Sequence, residues 1–230
     1  TLTWHYSDGS DPTKPYEDAK AGVIDGVSLT ETTVPIAQAD GLFDDYKYTS
    51  STDATTFTLW FNLYRTKYAN FSDETKVVSN MTDDQKVRAN LAMQNQHFRL
   101  AIAYGFDRTT YNAQLTGEDC KLFSLRNSYT PGNFIYTDED ITVDINGTAT
   151  DFAAGTPYGA ILQAQITADG YPIKVYDPAM DDGAGSSDGF DGWFNVDNAK
   201  EELNKAIEEL AAQGVEISAE NPLHFDFPYP

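Results

Sequence analysis

Apolar and polar residues alternate at three places along the chain. Near the start, Leu2, Trp4 and Tyr6 alternate with Thr3 and His5, which is the two-residue period of a half-buried strand. In "TTFTLWFNLYR" (55–65), Phe57, Leu59 and Phe61 fall on one face and Thr56, Thr58, Trp60 and Asn62 on the other. The first set reads as a core face; the second mixes a large aromatic with small polar groups, as a ligand-facing strand does. Near the end, Leu223, Phe225 and Phe227 alternate with His224, Asp226 and Pro228. Because strands of this kind stand close to both ends, the chain reads as a piece cut from a longer one.

Helical patterns lie between them. A first helix is expected from Pro15, at home in a first turn, to about Gly22. "DGLFDDYKYTSSTDA" reads as a loop. "MTDDQKVRANLAMQNQHFRLAIAYGFDRTTYNAQL" reads as helix, opened by a Thr82–Gln85 capping box. Its section from Asn95 to Leu115 is expected to be buried, with a break near Gly105. "ITVDINGTATDF" predicts a hairpin turning at Asn146-Gly147, and "TPYGAILQAQI" a helix with Thr156 as cap and Pro157 first. Ala199, Leu203, Ala206, Ile207 and Leu210 form the stripe of a last helix closed by Gly214. Mixed helices and strands without an internal repeat predict an α/β chain forming a single partial domain over residues 1–230.

A formal charge of −21 argues against nucleic acid, which needs a basic footprint. A single cysteine, Cys120, excludes an internal disulfide and a multi-cysteine zinc site. It reads as an inert small residue. Asn70, Asn80 and Asn146 head glycosylation-type triplets but carry no weight in so Asn- and Thr-rich a chain.

Catalytic and metal chemistry find little support. The acidic stretch with Asp181, Asp182, Asp188 and Asp191 lacks the spacing of a calcium loop and reads as a solvated linker. His5, His97 and His224 have no HExxH spacing, and no nucleophile elbow, P-loop or dinucleotide fingerprint occurs. The chain is therefore read as a non-enzyme with no cofactor and no metal. Arg99 and Arg108, in "HFRLAIAYGFDR", are expected at the surface or paired with Asp107 and its neighbours.

That last stretch, continued as "FRLAIAYGFDRTTYNAQLTGE", resembles a helix of the family-5 extracellular solute-binding proteins, the peptide-binding subunits of ABC importers. "YEDAKAGVIDG", "TTFTLWFNLYR" and "VDNAKEELNKAIEELAAQG" are similar to further family segments in the same order. "LRNSYTP" and "YDPAMDDG" resemble forms found in oligopeptide-binding lipoproteins of Gram-positive bacteria. The resemblance implies an α/β chain that is part of one lobe of a type II periplasmic-binding-protein-like fold, the first part of the second lobe. It implies Thr58, Trp60 and Asn62 lining a peptide cleft, with Arg126, Asn127 and Tyr129 bordering it. It also implies oligopeptides and membrane permease subunits as partners, and a lipid-anchored parent on the extracellular face of a Gram-positive cytoplasmic membrane. The family's amine-binding Asp has no counterpart here, so the chain alone is expected to bind peptide weakly or not at all. An adhesin or peptide-pheromone sensor on the same fold is the alternative.

Overall fold

The computed structural model describes residues 1–48, 55–56, 58–69, 78–122, 125–180 and 190–226. In chain order the elements are α1 (Lys14–Lys20), α2 (Thr33–Ala39), α3 (Phe43–Tyr46), α4 (Asp83–Gln94), α5 (Gln96–Gly105), α6 (Arg108–Thr116), β1 (Ile141–Ile145), β2 (Thr148–Phe152), α7 (Tyr158–Ala168) and α8 (Val196–Ala212). The chain is thus a mixed helix-and-strand protein, in keeping with an α/β class. It divides into two compact units, Thr1–Thr56 with Asp107–Gly192, and Phe57–Phe106 with Trp193–Pro230. No helix among the described residues is long and apolar enough to cross a membrane.

In the first unit, α1 starts with Pro in its first turn, as expected. Asp40, capping the end of α2, accepts from the Tyr16 hydroxyl at 2.8 Å and from Lys20 at 2.7 Å. These bonds, Lys20's first, hold its carboxyl below the usual range. Sequence patterning gave no helix at α2, whose third residue is Pro35. It lies in the first turn, where a backbone N–H has no intrahelical partner to lose. It also missed α3, within the expected loop.

β1 and β2 pair antiparallel from Ile141–Phe152 to Ile145–Thr148. They turn at Asn146 (φ 52°) and Gly147 (φ 81°), the two left-handed positions that this turn demands. Ile145 is buried, and the hairpin rests on α7 through β1. The expected Thr156 cap is corrected by one residue: Pro157 occupies the N-cap with extended dihedrals, and Thr156 Oγ1 instead donates to the Ala153 carbonyl at 2.7 Å. On α7, Gln163 acts as a substitute strand neighbour. Its Oε1 accepts from Val175 N (2.7 Å) and Tyr176 N (3.2 Å), and its Nε2 donates to Ile173 O (3.1 Å).

The second unit is built on α5 packed against α8, with Ala92, Phe98, Ala206, Leu210 and Val215 as its buried cluster. Full burial of residues such as Phe98 and Leu210 contributes about 1.5–3 kcal/mol each. The expected capping box is present at the start of α4: Thr82 Oγ1 accepts from Gln85 N, and Gln85 Oε1 accepts from Thr82 N. The long expected helix breaks twice. Asn95 ends α4 and caps α5, its Oδ1 accepting from Phe98 N at 2.9 Å. Beyond Gly105 the chain passes to the first unit, where Asp107 caps α6 by accepting from Thr110 N at 2.8 Å. Asn195 caps α8, accepting from Asp197 N and Asn198 N.

Arg88 is the least expected member of this unit. It is buried on α4, beside Ala89 and Ala92. Its guanidinium donates to Glu216 O at 2.6 Å, to Asn221 O at 2.8 Å and to Asn221 Oδ1, gathering the segment that follows α8.

All three alternating stretches depart from expectation. Residues 1–6, 58–65 and 223–226 form no ladder, and Leu2, Trp4 and Tyr6 are exposed. A strand exists only by pairing, and alternation alone does not supply the neighbour. The core face assigned to Leu59 is corrected as well: Leu59 is 56% exposed and Phe61 only half-buried, while Phe57 lies outside the described residues. At the end of the chain Leu223 packs on the core cluster, and Phe225 stacks on Phe98 with ring centroids 5.7 Å apart. Phe227 lies outside the described residues.

Candidate functional site

The residues expected to face a ligand fall into two sets, one on each unit. In the second unit, Thr58 and Asn62 are exposed and Trp60 is 74% exposed. Asn62 Oδ1 accepts from Tyr64 N at 3.2 Å, a side-chain turn that bends the chain just past the stretch. Three residues past Asn62, the backbone of Arg65 is bracketed by Asn90 of α4. Arg65 N donates to Asn90 Oδ1 and Asn90 Nδ2 donates to Arg65 O, both at 2.9 Å. The guanidinium of Arg65 lies 4.2 Å from the centre of the Tyr68 ring and pairs with Asp226 at 2.6 Å.

In the first unit, the loop with Arg126, Asn127 and Tyr129 is fastened by Arg108, the first residue of α6. Arg108 Nη1 donates to Arg126 O at 2.5 Å and Nη2 to Asn127 Oδ1 at 2.8 Å, while Nε donates to Asp191 at 3.2 Å. Asn127 is 3% exposed; its Nδ2 donates to Phe190 O and its Oδ1 accepts from Gly192 N, both at 3.0 Å. Its amide thus shapes the loop from inside. Arg126 is half-buried and Tyr129 is 68% exposed. The Tyr129 carbonyl accepts from Thr56 Oγ1 at 2.8 Å.

Arg108 thus pairs with Asp191 and with the loop, while Arg99 donates to the carbonyls of Met93 and Gln94, not to Asp107. Sequence reading did not find the roles of Arg65, Asn90 and Arg88. Polar groups among apolar positions, as in "KVRANLAM", are the only local sign of them.

Little here points to bond-breaking chemistry. His97 Nδ1 lies 2.5 Å from Glu202 and its Nε2 3.5 Å from Glu209, both on α8. Burial pushes the Glu202 carboxyl up, but hydrogen bonds from His97 and Lys205 outweigh it and its pKa lies below the ordinary value. Burial, and then the charge of Asp119, pushes the Cys120 thiol up, the opposite of activation. Among the described residues no group of three or more His, Cys, Asp or Glu is placed to hold a metal ion. Residues 181–189 of the acidic stretch lie outside them.

No protein-family model matches the chain. It is similar over nearly its whole length to streptococcal oligopeptide-binding proteins. It is 30% identical over 221 residues to the oligopeptide-binding protein AliA of Streptococcus pneumoniae, covering 96% of this chain and 28% of that protein. Identity is 28% to the oligopeptide-binding protein SarA of Streptococcus gordonii, over 97% of this chain and 28% of that one. It is also 28% to AmiA of Streptococcus pneumoniae, over 99% and 29%. The chain therefore spans under a third of the length of the curated relatives it matches.

Proposed function

We propose that this chain is the first part of the second lobe of an oligopeptide receptor that captures peptides outside the cell and hands them to the permease subunits of an ABC importer. The observation that carries the reading is the similarity to named oligopeptide-binding proteins, which runs through 96–99% of the chain. In this reading residues 1–230 are a single partial domain of a type II periplasmic-binding-protein-like fold. The longer protein is held by a lipid anchor at the surface of a Gram-positive cell.

Thr58, Trp60 and Asn62, with Arg126 and Tyr129, face the peptide; Asn127 acts from within the loop. The exposure of Thr58, Trp60, Asn62 and Tyr129 supports this assignment, as does their mixture of aromatic and polar groups. Broad peptide recognition uses hydrogen bonds to the ligand backbone and hydrated space for varied side chains. A flat aromatic such as Trp60 adds contact area at small entropic cost. Binding, not catalysis, is the role.

Mass spectrometry of peptides co-purifying with the natural-length protein tests the proposal. A mixture of peptides is the expected result. An empty protein overturns the reading, and one defined peptide redirects it to sensing. Calorimetry on the 230-residue chain alone should show no tight binding. A micromolar or tighter peptide complex would overturn the assignment of this chain to one side of the cleft.

A further inference from the structure

We propose that Asn90 and Asp226 are positioning residues for the peptide-facing stretch 58–62, acting through Arg65. The inference rests on the peptide-binding reading above and adds residues which that reading does not contain. The stretch has neither ladder nor helix to fix it, yet a peptide-facing wall must be held to fractions of an ångström. A fixed point stands three residues past Asn62. Asn90 projects from α4, a capped helix of 12 residues. It meets both backbone polar groups of Arg65, N–H and C=O, at 2.9 Å. A side-chain amide thereby does for one residue what a neighbouring strand does for several.

The same residue is held at its far end. Arg65 Nη1 donates to Asp226 Oδ2 at 2.6 Å, and its Nε donates to Lys67 O at 3.0 Å. Its guanidinium packs on Tyr68, whose hydroxyl lies 3.3 Å from Asn90 Nδ2. Asp226 belongs to the segment gathered by Arg88, which also projects from α4. Two residues apart on one helix, Arg88 and Asn90 thus organise the segment after α8 and the end of the peptide-facing stretch. The Arg65–Asp226 pair joins the two. With both backbone groups and the guanidinium of Arg65 held, the turn at Asn62–Tyr64 has a fixed end, and the directions of Trp60 and Asn62 follow from it.

The test uses the full 230-residue chain labelled with 5-fluorotryptophan. Its three tryptophans, Trp4, Trp60 and Trp193, give separate fluorine resonances, and Trp60→Phe identifies one of them. Asn90→Ala and Asp226→Asn should each move or broaden the Trp60 line and leave the other two in place. Asn90→Asp, which keeps the acceptor for Arg65 N–H, should move it less. An unmoved Trp60 line in the folded variants overturns the proposal. If Asn90→Ala fails to fold by circular dichroism, Asp226→Asn and Arg65→Lys carry the same comparison. In the natural-length protein Asp226→Asn should weaken peptide binding by about tenfold, a loss of preorganisation. An unchanged Kd beside a moved line would also overturn it. If the natural-length protein takes up no peptide at all, the peptide-binding reading fails, while the fluorine result still stands or falls on its own.

Discussion

Replacing Arg88 puts the largest single demand on the second unit. Arg88 is a buried cation whose short bonds go to two backbone carbonyls and one side-chain amide of residues 216 and 221. A hydrogen bond from a charged group contributes about 1.5–3 kcal/mol net, so three of them set an upper bound of roughly 4.5–9 kcal/mol. That bound is not reached. Glu216 and Asn221 are exposed, and their freed acceptors rehydrate once the guanidinium is gone. Desolvation of the cation also works against the pair in the folded state, as it does for buried ions generally. The expected loss for Arg88→Ala is therefore about 3–4 kcal/mol, near the cost of breaking other buried charged pairs. Arg88→Lys keeps one of the directions and should lose about 2 kcal/mol. Urea unfolding followed by circular dichroism, with the midpoint and slope both fitted, measures each value. Arg88→Met is the deciding variant, since it keeps volume and removes charge. If Arg88→Met is as stable as the natural chain, desolvation outweighs the hydrogen bonds and the assigned role is wrong. A loss below about 1 kcal/mol for Arg88→Ala would refute it equally.

Two glycines should respond with opposite signs to alanine. At Gly105 an added Cβ meets Ala199 at an ordinary 3.6 Å, so Gly105→Ala should stabilise by roughly 0.5–1 kcal/mol. At Gly159 the same atom would sit 2.5 Å from the Tyr176 ring and 2.7 Å from Gly132 Cα. Gly159→Ala should therefore cost about 1–3 kcal/mol, and thermal melts of the two variants check the contrast. Acid should weaken α5–α8 packing through Glu202. Its folded pKa lies below the ordinary 4.5, so its contribution is present above that value and is lost as pH falls through the folded pKa. Glu202→Gln should narrow the gap to the natural chain below about pH 4.5 in pH-dependent urea titrations, and a gap constant with pH would contradict this.

The elements legible in the sequence are those decided by near neighbours. The Thr82–Gln85 box, the Asn146–Gly147 turn and the Ala206–Leu210 stripe each depend on groups within a few positions of one another. What was illegible depends on distance along the chain. Arg88 finds its acceptors about 130 residues away, and nothing in "KVRANL" names them. The stretch 58–65 has strand composition, but pairing is a property of two segments, so its alternation was read as a sheet face that the structure does not form. The candidate site was half visible for the same reason. Alternation put Thr58, Trp60 and Asn62 outward, where they are. It could not show that Leu59 is outward too, nor that Asn127 serves its loop from inside.

Asn90 and Gln163 share a consequence that reaches beyond either unit. A strand-like backbone whose amide hydrogens point at solvent is a template on which another polypeptide can zip up, the first step toward insoluble assemblies. In Arg65, and again in Val175 and Tyr176, those hydrogens are already given to a carboxamide. The two amides work as plugs: each blocks a docking edge at the cost of one side chain, and so guards the dispersal of a chain whose apolar stretches lie open to water.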